Sequence, residues 1–324
     1  MFCLLKGQGD EPLPNSLVSQ KGKAVFFTIL AGILWGTSFP IIKIGLSTID
    51  PFTFVFWRFF VSSVTLVVVM LLLGKLHFKI TNKKLLVLLG IANGAGYLLQ
   101  YSAMGYTSSA KAALFINLSA MWVAILSPRL LSESFSRKKI AGVLFGFAGI
   151  VFVSTNLDFS TMIEGQLIAD LMLIVSGLCW ALFMIYNKKL VMHSTSAPFQ
   201  WMTWVLLFTM FSIVPFTVLA GPGFFVLSGW AWAAIGYTAI VCWVIPYYLW
   251  LEGLKYLSAS TSTILLLSEI VVAVFASVIV LKEPVTLFST IGALFIIIAV
   301  ALVSVRENGL GRKSDKSNAF LENA

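Results

Sequence analysis

At 324 residues, with 59% hydrophobic and only 11% charged side chains, the chain lies far from a soluble domain, in which roughly a quarter of residues are charged. Its net charge of +9 does not indicate nucleic-acid binding, because the basic residues sit in short connections between apolar runs and form no stripe. Two histidines, His77 and His193, and three cysteines, Cys3, Cys179 and Cys242, offer neither metal-ligand spacing nor a disulfide framework, so no metal and no cofactor is expected.

In chain order, residues 1–23 form a polar leader with Pro12 and Pro14 that reads as a flexible cytoplasmic tail, and no cleavable signal is expected in it. Ten apolar runs follow, at 24–45, 51–73, 84–104, 109–128, 139–155, 166–187, 198–220, 228–250, 258–280 and 285–305. Nearly all approach the roughly twenty residues that a spanning helix requires, and a helix satisfies its own backbone inside lipid. The polar stretch from Arg306 onward is expected to be a disordered tail. All but four of the 22 Lys and Arg, namely Lys43, Arg58, Lys111 and Lys282, fall on one side of the ten runs. The positive-inside rule then places both termini in the cytoplasm.

The chain also repeats itself. Shifted by 150 positions, Tyr97/Tyr247, Tyr106/Tyr256, Ser108/Ser258, Glu133/Glu283, Gly142/Gly292 and Phe145/Phe295 coincide without a gap. At a shift of 145, Gly32/Gly177, Trp35/Trp180 and Lys43/Lys188 coincide. Five runs per copy is an odd number, so the copies enter the membrane from opposite sides. The expected fold is all-α integral membrane, with ten transmembrane helices as two inverted five-helix repeats at 24–155 and 166–305. Inverted repeats permit alternating access.

Within 258–280, Glu269 stands near the midpoint of an apolar run, where inserting a charge costs on the order of 3 kcal/mol. A carboxylate in a spanning helix, joined to an internal repeat, points to a transporter. Two readings of Glu269 stand: a contact for a proton or a substrate amine, or a structural carboxyl bonded to a neighbouring helix. Its counterpart at a shift of 150 is Ser119, so the halves differ chemically at this depth. Asn117, one turn away, is expected to face a cavity or another helix.

Arg58, about seven residues into its run, and Lys43 can each hold a substrate carboxylate, close an outer gate with Asp50 or snorkel to the outer headgroups; Arg58 lies deeper and its guanidinium cannot discharge, which calls for a partner within the bundle. Lys43 and Lys111 are expected to snorkel to the outer headgroups. Trp35 and Trp180 lie inside spans beside small residues, while Tyr97, Gln100, Tyr101, Trp122, Tyr247 and Trp250 add amphipathic surface. Walls of this kind suit an amphipathic or aromatic metabolite. The alternative is an interfacial belt, expected above all for Trp230 and Trp232. The candidate substrate-binding or coupling set is Glu269, Trp35, Trp180, Asn117, Ser119, Tyr101, Arg58 and Tyr247. Gly90-x-x-x-Gly94 and Gly142-x-x-x-Gly146 with Gly149 read as close-packing faces inside one chain. Pro40, Pro215 and Pro246 free carbonyls in their runs, as hinges, binding points or tolerated kinks.

Leu34-Trp35-Gly36-Thr37-Ser38-Phe39, Lys43, Pro51, Phe56-Trp57-Arg58-Phe59, Leu265-x-x-Ser268-Glu269, Leu281-Lys282-Glu283-Pro284, Gly292 and Val303-Ser304 together resemble the drug/metabolite transporter superfamily, in its ten-helix EamA-type branch. Ala120 and Ile270 stand where that family often has proline, so proline supplies no kink there. The resemblance implies a basket with a cavity lined by helices 1, 3, 4, 6, 8 and 9, with 5 and 10 peripheral, and small metabolites, amino acids among them, as substrates. The expected protein is a secondary-active exporter in the cytoplasmic membrane, not an enzyme, with a small molecule, the lipid bilayer and a proton or other gradient ion as partners and no nucleic acid. The alternatives are an integral-membrane enzyme acting on lipid or isoprenoid substrates, or a passive channel or scaffold. The sequence assigns no oligomeric state.

Overall fold

The computed structural model describes residues 15–76, 82–106, 112, 115–133, 136–155, 157–158, 167–193, 198–221, 223–281 and 286–304. Lys111, Lys282, Glu283, the first fourteen residues and the C-terminal tail expected from Arg306 lie outside them.

Ten helical passes follow one another among the described residues. The first is α1 (Asn15–Gly36) and α2 (Ser38–Gly45), stepped at Thr37. Then come α3 (Pro51–Leu72), α4 (Lys83–Met104), α5 (Ser119–Leu130), α6 (Arg137–Thr155), α7 (Leu167–His193) and α8 (Pro198–Ile213). The eighth pass is α9 (Gly229–Ala239), a π turn at Ile240–Val244 and α10 (Ile245–Leu254). The ninth is α11 (Ala259–Leu266) and α12 (Ser268–Leu281), and the tenth is α13 (Leu287–Ser304). Seven of these passes are helices long and apolar enough to cross a bilayer by themselves, and Phe115–Leu130 and Thr290–Leu302 are shorter apolar stretches of two others. The first helix begins at Asn15 and not near residue 24, so 15–23 extends it. Lys21 and Lys23 stand on that extension, where long basic side chains can reach headgroups while their stems lie along the helix.

Packing follows the repeat. Exchanging each pass for the one five places on turns the pairing of α4 with α7 into that of α10 with α1, and the pairing of α5 with α7 into that of α11 and α12 with α1. The pairs α3 with α8, α5 with α11, and α6 with α13 map onto themselves. The chain is therefore two five-helix repeats of opposite orientation, closed against each other. Leu72, Phe275, Ile279, Leu294 and Ile297 are exposed on the outside, as a lipid-facing surface requires.

Glycines set the closest approaches. A Cβ on Gly32 would strike the Leu266 carbonyl, the Glu269 backbone nitrogen and the Ser268 hydroxyl. A Cβ on Gly177 would strike the Ile116 carbonyl and approach the Ser119 nitrogen, which are the repeat counterparts of the first two. Each repeat thus lays a glycine of its first helix into a break in the other repeat's fourth helix. The breaks fall at Leu118 and Leu267, where the bonding tightens to Met121 N–H on the Leu118 carbonyl (2.9 Å) and Ile270 N–H on the Leu267 carbonyl (3.0 Å). No proline causes them, so kinks occur at points where proline gave no reason for one. Gly90 and Gly94 meet Phe208, Thr209 and Ser212 of α8, while Gly149 meets Gly292 and Ile296 of α13, so both glycine faces are used within the chain.

Gly177→Ala is expected to cost about 1–3 kcal/mol, because the Phe115 and Ile116 carbonyls nearest its Cβ are backbone and cannot turn aside, and Gly32→Ala is expected to cost about 1 kcal/mol, because the Ser268 hydroxyl nearest its Cβ can turn while the backbone around it gives only slightly. Gly236→Ala, with nothing within 4 Å of its Cβ, is the control and should be neutral or slightly stabilising. Thermal unfolding in detergent reads all three, and equal melting of the glycine-cradle variants and the control would remove the packing argument.

Candidate functional site

Between the repeats lies a cavity of about 720 Å³ of empty space, its opening included. Trp35, Ser38, Phe39 and Ile42 of the first pass line it, with Arg58 of α3, Tyr97 and Gln100 of α4, and Ile116, Asn117 and Ser119 of the fourth pass. The second repeat contributes Trp180, Phe183 and Met184 of α7, Trp243 and Trp250 of the eighth pass, and Thr263, Leu266 and Glu269 of the ninth. These are the six passes expected from the resemblance, plus the second, which enters through Arg58.

Glu269 lies in the first turn of α12, one residue beyond the Leu267–Ser268 step, and is half-buried against the cavity. The break ends one half-helix and starts another within the ninth pass, and Glu269 stands in the first turn of the second half-helix. Ser119, the repeat counterpart of Glu269, is the first residue of α5 directly after the Leu118 step, and it lines the same cavity, 5% exposed. Asn117 lines it too, 8% exposed.

Arg58 is 1% exposed and is held by oxygen atoms, none of them a carboxylate's. Its guanidinium donates to the Tyr101 hydroxyl (2.5 Å), the Tyr97 hydroxyl (3.3 Å) and the Cys242 carbonyl (3.3 Å). That carbonyl is available because Pro246, four residues on, has no N–H to occupy it, and the π turn at Ile240–Val244 precedes the proline. Pro246 thus supplies a binding point for a side chain of α3. The Arg58 carbon also lies 4.6 Å from the Tyr97 ring centroid and 5.6 Å from that of Trp243, so the cation rests on ring faces. Asp50 is not its partner: it caps α3, accepting the Thr53 N–H (2.9 Å) and the Thr53 hydroxyl. The gate contact with Asp50, one of the roles open to Arg58, is not made in this structure, because a carboxylate ahead of Pro51 satisfies the start of its own helix first. Lys43 is exposed at the end of the first pass.

Six of the eight candidate residues reach the cavity wall. Tyr101 and Tyr247 stand behind it, both 0% exposed. Tyr101 serves Arg58, and the Tyr247 hydroxyl donates to the Asn187 side-chain oxygen (2.9 Å) while its ring stacks against Trp243 and Trp250. Two wall residues that the sequence reading did not single out are Trp243 and Phe183. Trp243 sits at the centre of the aromatic cluster, with ring centroids 5.0 Å from Tyr97, 5.8 Å from Trp35 and 6.0 Å from Trp180. The available signal was the stripe Trp243, Tyr247, Trp250, spaced four and three residues apart on one helical face. The indole N–H groups of Trp35, Trp180 and Trp243 are buried and have no hydrogen-bond partner among the described residues.

Chemically, the wall offers one carboxylate, one guanidinium already dispersed over rings and hydroxyls, a few amide and hydroxyl groups, and a large aromatic surface. Among the described residues no three His, Cys, Asp or Glu side chains cluster as a metal site would need.

The chain matches the model of a family described as the EamA-like transporter family twice, over residues 22–155 and 167–305. A protein of Archaeoglobus fulgidus named "Uncharacterized transporter" is 28% identical over 295 residues, covering 86% of this chain and 96% of its own. The Bacillus subtilis "Uncharacterized transporter YyaM" is 24% identical over 281 residues, covering 84% and 90%. A solved crystal structure, 16% identical, superimposes with a TM-score of 0.71 over 86% of this chain and 95% of that one, which shows a shared fold.

Proposed function

Since the chain belongs to the EamA-like transporter family, within the drug/metabolite transporter superfamily, we propose that it is a secondary-active carrier exporting small amphipathic metabolites or amino acids by alternating access. The family and the relatives' names point to a membrane transporter and away from an enzyme. In this reading the protein sits in the cytoplasmic membrane with both termini inside, as the distribution of Lys and Arg favours.

The observation that carries the reading is the cavity itself. It lies where the two inverted repeats meet, and it is walled by indoles with a carboxylate on one repeat and a guanidinium on the other. The aromatic surface of Trp35, Trp180 and Trp243 holds the apolar part of a substrate by contact. Glu269 serves as the coupling group, taking up and releasing the proton that drives transport. Asn117 and Ser119 complete the polar rim from the opposite repeat.

The test is counterflow in proteoliposomes, with substrates chosen from metabolites that accumulate in the medium of overexpressing cells. A carrier gives saturable exchange accelerated by substrate on the far side, and linear, unaccelerated flux would make the protein a channel. Trp180→Leu is expected to raise the KM for an aromatic substrate roughly tenfold with little effect on maximal flux. An unchanged KM would remove Trp180 from recognition.

A further inference from the structure

The ninth pass begins at a helix N-terminus whose backbone donors need partners. Thr261 N–H is met locally by the Ser258 hydroxyl (3.2 Å), as in an ordinary cap. The two donors before it are met from the other repeat. Glu133 accepts the Ala259 N–H (2.6 Å), the Ser260 N–H (3.2 Å) and the Ser260 hydroxyl (2.8 Å), from 126 and 127 residues away. The carboxylate lies at the positive end of α11, and its bonds are charge-assisted. To reach this position the chain leaves α5 through Ser132 at φ 53°, a left-handed conformation that serine adopts at a cost.

Further contacts gather at the same level. The Ser127 and Ser260 hydroxyls bond across the repeats at 2.7 Å, and the Trp250 indole N–H donates to the Ser262 hydroxyl at 2.7 Å. Every residue from Ala259 to Leu267 is at most 4% exposed. Thr263 and Leu266, next along α11, already line the cavity. The Glu133 contacts therefore lie between the cavity and this end of the bundle, and they join the two bodies that must part if the cavity is to open here.

We propose that Glu133 is the latch of the cavity floor. It holds α11 of the second repeat against α5 of the first, and its release is a required step in opening toward this face, which the distribution of Lys and Arg assigns to the cytoplasm. The inference rests on the alternating-access reading above. It goes beyond that reading in naming the residue that holds one end of the cycle shut. Glu133 touches no cavity surface, so its role is positional.

The experiment labels a cysteine in the cavity, Met184→Cys in a background with Cys3, Cys179 and Cys242 replaced by serine, with a membrane-impermeant maleimide. Labelling is measured separately in right-side-out and inverted vesicles. Glu133→Gln and Glu133→Ala are expected to raise the rate from the cytoplasmic face roughly tenfold or more and to lower it from the outer face. Ser132→Gly relieves the backbone and keeps the carboxylate, and should label no faster than the parent. Unchanged rates in both Glu133 variants would overturn the latch. Equal rises on both faces would also overturn it, reducing the contact to a cap whose loss loosens the whole bundle. A rise confined to the outer face supports the latch and reverses the assumed orientation. A rise on the cytoplasmic face in a protein without counterflow supports the latch and refutes the carrier.

Discussion

Replacing Glu269 by glutamine is expected to lower proton-driven transport about 5- to 150-fold, the range of coupling free energies of 1–3 kcal/mol, while leaving counterflow of the same substrate close to wild type. The substitution keeps the shape and hydrogen-bonding reach of the side chain and removes its ability to take up and release a proton. Counterflow needs only the loaded carrier to reorient, so it survives if Glu269 couples and does not bind. The position of the residue makes the experiment decisive, since it lies in the cavity wall, in the first turn after the break in the ninth pass, and half-buried. If both assays fell together, Glu269 would be a contact for a substrate amine. If neither changed, the carboxylate would have no part in transport.

Arg58→Ala is expected to destabilise the bundle by about 3 kcal/mol or more. Its removal strips a donor from the Tyr97 and Tyr101 hydroxyls and from the Cys242 carbonyl, and each buried polar group left without a partner costs about 1–3 kcal/mol. Arg58→Lys should recover only part of the loss, because an ammonium on a flexible stem cannot span two hydroxyls and a carbonyl as a planar fork does. Tyr101→Phe, which deletes one of the three acceptors, should cost less than Arg58→Ala. Thermal unfolding and monodispersity in detergent order the variants. A fully stable Arg58→Ala protein would show that the guanidinium contributes nothing to the architecture and would return Arg58 to the list of substrate contacts.

Much of the site was legible because the membrane makes polar residues conspicuous. Glu269, Arg58 and Asn117 stand out in apolar runs, and the repeat drew attention to Ser119, Trp35 and Trp180; all six reach the cavity wall. Trp243 and Phe183 were not legible in the same way. An aromatic ring is as much at home in lipid as in a cavity, so only the crossing of helices decides which way it faces. Tyr101 and Tyr247 show the converse, since their hydroxyls are spent on Arg58 and Asn187 behind the wall. Among the roles open to Arg58, pairing with Asp50 is not taken up for a local reason, as the carboxylate caps its own helix through Thr53.

The sequence by itself determined the ten passes, the inverted duplication and the family, because bilayer thickness sets the length of each run and an odd number of runs per copy makes the second copy enter from the opposite side. Only the tertiary structure decided where the helices break and what the breaks are for. The steps at Leu118 and Leu267 contain no proline, glycines of the opposite repeat lie against them, and the repeat counterparts Ser119 and Glu269 follow them in the cavity wall. The freed Cys242 carbonyl likewise acquired its meaning only when Arg58, 184 residues away, was found to occupy it. Contacts of this kind depend on which surfaces two packed repeats bring together, which no periodicity within a single run records.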